Sequence, residues 1–263
     1  MIRMRKMWNL ALKNIKFRFR EPQQYLFIFG FPILFVFVFW VIFKDMPSSV
    51  PPHNQFDVFV WGFIAFTVAF ATQSASMAFS REKEKGTLRR LMTTPVRTSS
   101  IFGGFLLSEV LVIIIQLAIV YILSFALLGV HFSSILALVL TFLMYILCGL
   151  FCVGIGLILA ALLKPKLAGE LPMIVIMPIV FLSGIFVPLS SEIVYFNPFF
   201  WIASFGRELG FSGSGLFDTI KILDFVGSVD TGIAVFWCIP MTILFSAVFL
   251  GIGLYLFNKR CLK

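Results

Sequence analysis

FSREKEKGTLRRLMTTPV, residues 79–96, is a densely charged stretch that separates two long apolar runs. The run before it contains WGFIAFTVAFATQSASMA, and the run after it contains IFGGFLLSEVLVIIIQLAIVYILSFALLG. Each run is long enough to cross the hydrocarbon core of a bilayer, for which roughly 18 apolar residues suffice. The pattern therefore predicts a short polar connection between two transmembrane helices.

The composition extends this prediction to the whole chain. Hydrophobic residues make up 60% of the sequence, charged residues make up 13%, and the mean hydropathy is +1.03, whereas a soluble domain carries about 25% charged residues. Because unpaired backbone groups are too costly in lipid, the spans must be helical. We expect an all-α polytopic membrane protein, one transmembrane domain over 1–263, with six spans: Tyr25 to Phe43, Phe56 to Phe79, Ile101 to Leu128, Ile135 to Leu163, Leu171 to Val187 and Ile233 to Phe257.

The basic residues predict how the chain is oriented. Of 21 Lys and Arg, all but Lys44, Arg207 and Lys221 fall in alternate connections and at both ends of the chain. By the positive-inside rule these basic segments face the cytoplasm of a cell membrane, and so do both termini. The net charge of +9 follows from this topology and does not indicate a nucleic-acid partner.

Two segments outside the spans have their own patterns. Within 1–22, Trp8, Ala11 and Ile15 recur at helical spacing opposite several bases, which predicts an amphipathic interfacial helix that either anchors to lipid or docks a partner. Residues 188–231 are apolar and aromatic but are interrupted by prolines and glycines. No uninterrupted piece of them can cross a bilayer, so we expect short re-entrant helices in the outer leaflet.

The sequence offers no catalytic or metal-binding set. His53 and His131 are expected in separate outward loops without ligands at metal spacing, and no phosphate-binding loop ending in Gly-Lys-Ser/Thr occurs. The chain is therefore not expected to be an enzyme or to bind a cofactor itself. Glu109 lies well inside the third span, where a carboxylate either handles substrate or protons or makes a structural hydrogen bond to a neighbouring helix.

The charged stretch itself has the features of a short helix. Ser80 is a possible N-cap, Glu82 and Glu84 suit a first turn, and two arginines suit a last turn. Gly86 disfavours a helix interior and suggests a bend or a close backbone approach. The segment is either a simple basic connection or a surface for another protein; its acids and an apolar patch around Leu88 and Leu91 favour a docking surface.

At this point four motifs resemble the membrane subunits of type-2 ABC exporters. They occur in the family's order. The first is Arg20-Glu21-Pro22 followed by the proline-containing first span, and the second is Arg81-Glu82-Lys83-Glu84-Lys85-Gly86-Thr87-Leu88 together with Leu91 and Thr94-Pro95-Val96. The third is Phe181-Leu182-Ser183-Gly184 through Pro188, and the fourth is Tyr195-Phe196-Asn197-Pro198. The first has Glu where the family has Asp.

The resemblance implies a permease that pairs with a second permease copy and with a separate ABC ATPase subunit, which would hold ATP and Mg²⁺. The loop at 80–98 would be the coupling helix, with contacts from Arg81, Glu82, Lys83, Glu84, Gly86, Thr87, Leu88 and Leu91. The translocation path, for an amphiphilic drug, lipid or lipid-linked molecule, would involve Pro32, Glu109, Pro178, Asn197 and Pro198.

Two other classes of protein compete with this reading. A self-sufficient secondary transporter or channel would carry more buried ionisable residues than Glu109 alone. A membrane enzyme would need polar residues converging at one membrane depth, and the sequence shows none.

Overall fold

The computed structural model describes residues 8, 11–12, 14–15, 26–46, 53–84, 98–185, 192–223 and 228–261. The N-terminal residues that it describes are helical, as predicted, and the rest of 1–22 lies outside them. Seven further α-helices follow: α1 (Phe31–Phe43), α2 (Gln55–Glu84), α3 (Thr98–Tyr121), α4 (Ile135–Leu162), α5 (Leu171–Phe181), α6 (Pro198–Phe205) and α7 (Cys238–Cys261).

Shorter helical turns extend this framework. π-helical segments precede α1 and follow α3 and α6, and they comprise Leu26–Gly30, Ile122–Leu127 and Gly206–Ser212. The 3₁₀ turns are Leu167–Gly169, Glu192–Phe196 and Val235–Trp237. Within the described parts of the chain, four helical segments are long and apolar enough to cross a membrane, and these are Gln55–Glu84, Ile101–Leu127, Ile135–Leu162 and Val235–Leu256. The predicted first and fifth spans correspond to shorter apolar helices, Ile28–Phe43 and Leu167–Phe181.

The fifth predicted span is shorter than expected. We predicted a helix to Val187, but α5 contains 11 residues and ends at Phe181. Pro178, inside the helix, has no backbone N–H to donate. Gly184 then takes a φ of +75°, a left-handed conformation that ends helices and that glycine adopts without steric cost. Phe186 and Val187 lie outside the described residues.

The second span, in contrast, is longer than expected. α2 runs without interruption through Glu84, so the prediction that Ser80 begins a new helix is wrong. Ser80 is buried, and its backbone N–H and carbonyl belong to the continuing helix. The next helix-breaking residue is Gly86, and it falls outside the described residues, as do Thr87, Leu88 and Leu91.

α2 lies at the centre of the bundle. Its apolar window is buried along its whole length, and it packs against α1, α3, α4, α5 and α6. Small residues allow this close approach: a methyl group added at Gly156 of α4 would lie 2.5 Å from the Thr72 carbonyl oxygen of α2. Close backbone contact through small residues is the usual way in which helices associate in lipid.

Side-chain contacts give the direction of the helices. Phe35 packs on Phe66 with ring centroids 4.5 Å apart, and Tyr145 donates to the Trp61 carbonyl at 2.6 Å. Together with related contacts they show that α1, α3 and α5 run opposite to α2, whereas α4 and α7 run parallel to it. One end of the bundle, the Glu84 end, carries the last turn of α2 and the connection 163–170. The other, the hairpin end, carries residues 53–57, 129–134, 192–223 and 228–234.

The hairpin end contains two β-strands that the all-helical prediction missed. β1 (Thr219–Leu223) and β2 (Ser228–Ala234) pair antiparallel, with Lys221 opposite Asp230. β-branched residues are frequent in both strands, and these favour extended backbone. β2 occupies the position where we expected the sixth span to start, so that span begins as a 3₁₀ turn at Val235 and becomes α-helical at Cys238.

Candidate functional site

The Glu84 end presents the described part of the predicted coupling segment. Arg81, Glu82 and Lys83 are half-buried in the last turn of α2, and Glu84 is exposed. These four residues place charges of both signs in the last described turn of α2.

A cavity of about 420 Å³ lies beside this turn. It separates the last turn of α2 from the connection that leads into α5, and charges of both signs line it: Arg81, Glu84, Lys166 and Glu170. The wall contributed by α2 also includes Ser80, whose buried hydroxyl oxygen has no hydrogen-bond partner among the described residues. The last turn of α2 therefore has room to move relative to the connection opposite.

Two hydrogen bonds tie that connection to α2. The Gln73 side chain donates to the Gly169 carbonyl at 3.0 Å, and the Ser76 hydroxyl donates to the Ala168 carbonyl at 2.8 Å. Leu171, the first residue of α5, follows directly. This contact was not predicted from the sequence, although two polar side chains three residues apart in an apolar span lie on one face of a helix and could have indicated it.

Glu109 makes a contact between helices in the middle of the bundle. It is 1% exposed, and the Ser74 hydroxyl of α2 donates to its Oε2 at 3.3 Å. Gln116, two turns further along α3, donates to the Thr67 carbonyl at 2.6 Å. These polar contacts join α3 to α2.

Three of the predicted path residues meet at the hairpin end. The Asn197 side-chain oxygen accepts from the Phe199 N–H at 3.0 Å and so caps α6, while Pro198 occupies the first turn, where proline is favoured. The same Asn197 amide donates to the Ile179 carbonyl of α5, directly after Pro178. Carbonyls in the last turn of a helix have no hydrogen-bond partner within that helix. Asn197 provides such a partner for the Ile179 carbonyl of α5 and at the same time caps the N-terminus of α6.

Pro32 and Glu109 belong to other contacts. Pro32 is buried in the first turn of α1, a helix that packs on α2 through rings such as Phe39 on Phe63, with centroids 4.3 Å apart. The five predicted path residues therefore divide into one joined group at the hairpin end and two separate positions.

The helical segment after α6 packs tightly on α2 through two glycines. A methyl group added at Gly206 would clash with the Tyr145 hydroxyl, and one added at Gly210 would clash with the Trp61 indole ring. Trp61 is fully buried. Through this glycine–tryptophan contact the segment packs on the N-terminal half of α2, away from Glu84.

Two buried charges hold this segment to its other neighbours. Arg207 donates to the Ile185 carbonyl at 2.9 Å, and burial lowers the pKa of its guanidinium to about 10, so it remains a cation at neutral pH. Glu208 accepts from the Lys221 N–H at 2.6 Å and from the Ser214 hydroxyl at 2.9 Å. Burial raises the pKa of the Glu208 carboxyl, and these two hydrogen bonds partly oppose that rise.

The two histidines lie in separate connections but contact each other. The rings of His53 and His131 lie 4.2 Å apart between centroids, because the connections before α2 and after α3 meet at the hairpin end. The sequence separation of 78 positions gave no signal of this contact. Among the described residues, no three His, Cys, Asp or Glu side chains are arranged to hold a metal ion.

Comparison with known proteins accounts for this architecture. The model of the ABC-2 type transporter family matches residues 5–209, which include α1 to α6. The chain belongs to the ABC-2 type transporter family. The recognition from the sequence motifs is thereby confirmed, and with its apolar helices the chain is a multi-pass membrane protein of a family of ABC transporter permeases.

Curated relatives match a smaller part of the chain. Over 128 residues, 48% of this chain, it is 30% identical to a probable multidrug ABC transporter permease, YbhR, of Escherichia coli K12. The same protein of Escherichia coli O157:H7 matches equally well. The match spans about a third of the relatives' own length, 34%.

Proposed function

We propose that this ABC-2 family member forms the translocation path of an ATP-driven exporter for an amphiphilic substrate: a drug, a lipid or a lipid-linked molecule. ATP and Mg²⁺ bind to a separate ATPase subunit, and this chain supplies the membrane passage. The Escherichia coli relatives are named as probable multidrug permeases, which supports an amphiphilic cargo. The largely uncharged helices are compatible with the same cargo.

The Glu84 end faces the cytoplasm in this proposal, and both termini lie on that side. The distribution of charge supports the orientation, because five described basic residues lie at or just beyond the ends of helices that run toward the Glu84 end: Arg81, Lys83, Lys164, Lys166 and Lys259. The hairpin end carries Lys44, Arg207 and Lys221 together with several acids. Basic residues are retained on the cytoplasmic side of a membrane.

The continuity of α2 is the observation that carries the proposal. One unbroken helix of 30 residues joins the acidic and basic last turn at the Glu84 end to Trp61, against which the hairpin-end segment packs. A helix transmits displacement along its axis, because its backbone hydrogen bonds keep the rise per residue fixed. The ATPase contacts Arg81, Glu82, Lys83, Glu84, Gly86, Thr87, Leu88 and Leu91, and its movement displaces α2.

A second permease copy completes the path. α1 and α5 support this pairing because both present large exposed apolar side chains, such as Leu34 at 58% and Ile174 at 65% exposure. The path candidates Pro32 and Pro178 lie on these two helices, and Asn197 with Pro198 closes α5 at the hairpin end. Membrane lipid covers the apolar faces that remain.

The experiment is purification of the tagged chain from its native membrane, followed by reconstitution with the ATPase subunit that co-purifies. We expect vanadate-sensitive ATP hydrolysis and uptake of a fluorescent amphiphile into inside-out vesicles. Glu82→Lys combined with Glu84→Lys should abolish both stimulation and uptake. The matched control is Asp45→Lys, an exposed charge reversal at the hairpin end, which should leave both unchanged.

Two results would contradict the proposal. One is the absence of any ATPase subunit in the purified complex together with uptake that does not depend on ATP. The other is full ATPase stimulation and uptake in the doubly reversed variant.

A further inference from the structure

Arg207 is the only Lys or Arg between Lys166 and Lys221 in the sequence, and the fold buries it. The residue is 7% exposed and lies near the start of the helical segment that follows α6. Removing a charged side chain from water is costly unless an opposite charge or several hydrogen bonds replace the solvent. A buried guanidinium at this position is therefore expected to have a counter-charge close to it.

The described residues supply few partners to this guanidinium. It has five N–H donors, of which one donates to the Ile185 carbonyl at 2.9 Å, and its Nε has no hydrogen-bond partner among the described residues. The Phe59 ring centroid lies 5.8 Å from the guanidinium carbon, and an aromatic face at this distance offsets only part of a positive charge. No carboxylate of the described residues lies within 4.0 Å of the Arg207 side-chain nitrogens.

The neighbouring acids are bound to other groups. Glu208 accepts from the Lys221 N–H at 2.6 Å and from the Ser214 hydroxyl at 2.9 Å, and Asp218 accepts from the Gly215 N–H. These hydrogen bonds hold both carboxylates on the backbone and hydroxyl groups of the hairpin end. They leave the Arg207 guanidinium without an acidic partner in contact.

A small cavity of about 10 Å³ lies against Arg207, which is room for one particle about the size of a water molecule. Its lining contains two cationic side chains, Arg207 and Lys221, and no Asp or Glu. Ser204 of α6 adds a hydroxyl, and Ser183, whose own hydroxyl donates to the Val180 carbonyl, brings the end of α5 to the same wall. Two cations around a cavity without an acid favour an anion in it.

We propose that this cavity binds one small monovalent anion, of the size of chloride, as the counter-ion of Arg207 and Lys221. The anion accepts hydrogen bonds from both side chains and joins the end of α5, the segment 206–212 and β1. Chloride is slightly larger than water, and the exposed Lys221 side chain can move to admit it. Sulfate, or the phosphate of a lipid, is too large for a cavity of this volume.

The site is independent of the proposed export function. None of its residues belongs to the predicted ATPase contacts or translocation path, and the anion is bound by side chains of this chain alone. A failure of the anion experiment would therefore leave the export proposal intact, and the reverse also holds.

Hydrogen–deuterium exchange of the full chain in phosphatidylcholine nanodiscs tests the site at neutral pH, with chloride replacing gluconate at constant ionic strength. Amide exchange reports local opening, and a ligand that binds only the closed form slows it. We expect exchange of peptides from 206–212, relative to peptides from α4, to fall along a saturating curve. The fall should be about tenfold when chloride reaches ten times its dissociation constant, and bromide should act in the same way.

Three variants separate the bound anion from a general effect of salt. Lys221→Gln removes one cation but keeps the backbone N–H that binds Glu208, so its half-maximal effect should need about tenfold more chloride. Arg207→Met should lose the dependence on chloride. The matched control is Lys44→Gln, an exposed lysine of the same end that lies 4.0 Å from Asp45, and its response should equal that of the unmodified chain.

Three results would overturn the proposal. The first is exchange at 206–212 that does not depend on chloride, since water alone would then suffice in the cavity. The second is an equal effect of sulfate at the same ionic strength, and the third is an unchanged response to chloride in Lys221→Gln. Unfolding of Arg207→Met would be visible as faster exchange in its α4 peptides, and the unmodified chain with Lys221→Gln would then decide.

Discussion

The two ends of α2 are built differently. At the Glu84 end, a cavity of about 420 Å³ separates the helix from the connection opposite, and two side-chain hydrogen bonds cross to it. At the hairpin end, glycines pack directly on a fully buried Trp61, and buried Arg207 and Glu208 tie the same segment to its neighbours. We infer from this difference that the last turn of α2 can move relative to the connection 163–170. At the hairpin end, the segment 206–212 should move together with α2.

Among substitutions that test this difference between the two ends, Gly210→Ala is expected to lower the free energy of unfolding most. The added methyl group would overlap the Trp61 ring, and overpacking of this kind destabilises by about 1–3 kcal/mol. We expect a lower free energy of unfolding, measured by thermal or chemical denaturation in detergent.

Gly251→Ala is the matched control for that substitution. A methyl group there meets nothing within 4 Å, and Ala is favoured over Gly in a helix by about 1 kcal/mol. Equal free energies of unfolding for Gly210→Ala and Gly251→Ala would contradict the close packing of the segment 206–212 on Trp61.

A second, smaller effect should come from Asn197. Asn197→Ala removes both the cap of α6 and the bond to the Ile179 carbonyl, and loss of a cap costs about 0.5–2 kcal/mol. Asn197→Asp keeps an oxygen for the cap but sets a carboxylate oxygen against the Ile179 carbonyl oxygen. Because a buried charge without a partner is costly, it should be at least as destabilising as Asn197→Ala.

Ser134→Ala provides the comparison, because the Ser134 hydroxyl caps α4 through the Ala137 N–H at 3.1 Å. It should affect stability through the cap alone and leave transport intact, whereas both Asn197 variants should reduce transport. Equal transport in all three would show that the link between α5 and α6 has no role in export.

Ser76→Ala probes the Glu84 end. It removes the hydroxyl bond to Ala168, and a single hydrogen bond contributes about 0.5–1.5 kcal/mol. Because this end is loosely joined, we expect little change in stability but a clear loss of substrate-stimulated ATP hydrolysis in the reconstituted complex.

Thr242→Val is the control for the lost hydroxyl, since Thr242 bonds the Cys238 carbonyl of its own helix at 2.7 Å. Its ATP hydrolysis should match that of the unmodified complex. An equal loss in both variants would show a general effect of removing a buried hydroxyl.

The smallest effect is expected from Glu109→Gln. The glutamine oxygen still accepts from the Ser74 hydroxyl, so stability should change by less than about 1 kcal/mol, and export rates measured across pH should keep their profile. Loss of a pH-dependent component of export would reassign Glu109 from a structural contact to proton handling.

Much of the fold could be predicted because lipid imposes a simple rule on the sequence. The third and fourth spans, Ile101 to Leu128 and Ile135 to Leu163, were placed within three residues at either end, since long apolar runs with polar flanks leave few alternatives. The hairpin strands were missed because the segment is short and lies next to an apolar span, and short apolar runs do not distinguish strand from helix.

The candidate site was predicted only in part, for a similar reason. Asn197 and Pro198 were found through a motif that describes local structure. The contacts of Gln73 and Ser76 with the connection before α5, and the meeting of His53 with His131, depend on how separate helices are arranged in space. Local periodicity carries no information about such pairs of distant residues.

The central claim is that displacement at the Glu84 end reaches the hairpin end through α2. Its most direct test is hydrogen–deuterium exchange of peptides from 206–212 in the complex with the ATPase, compared between the nucleotide-free and the vanadate-trapped states. We predict faster exchange in the trapped state, and no change when Glu82→Lys and Glu84→Lys are combined. Unchanged exchange at 206–212 in a complex that hydrolyses ATP at its full stimulated rate would contradict the claim.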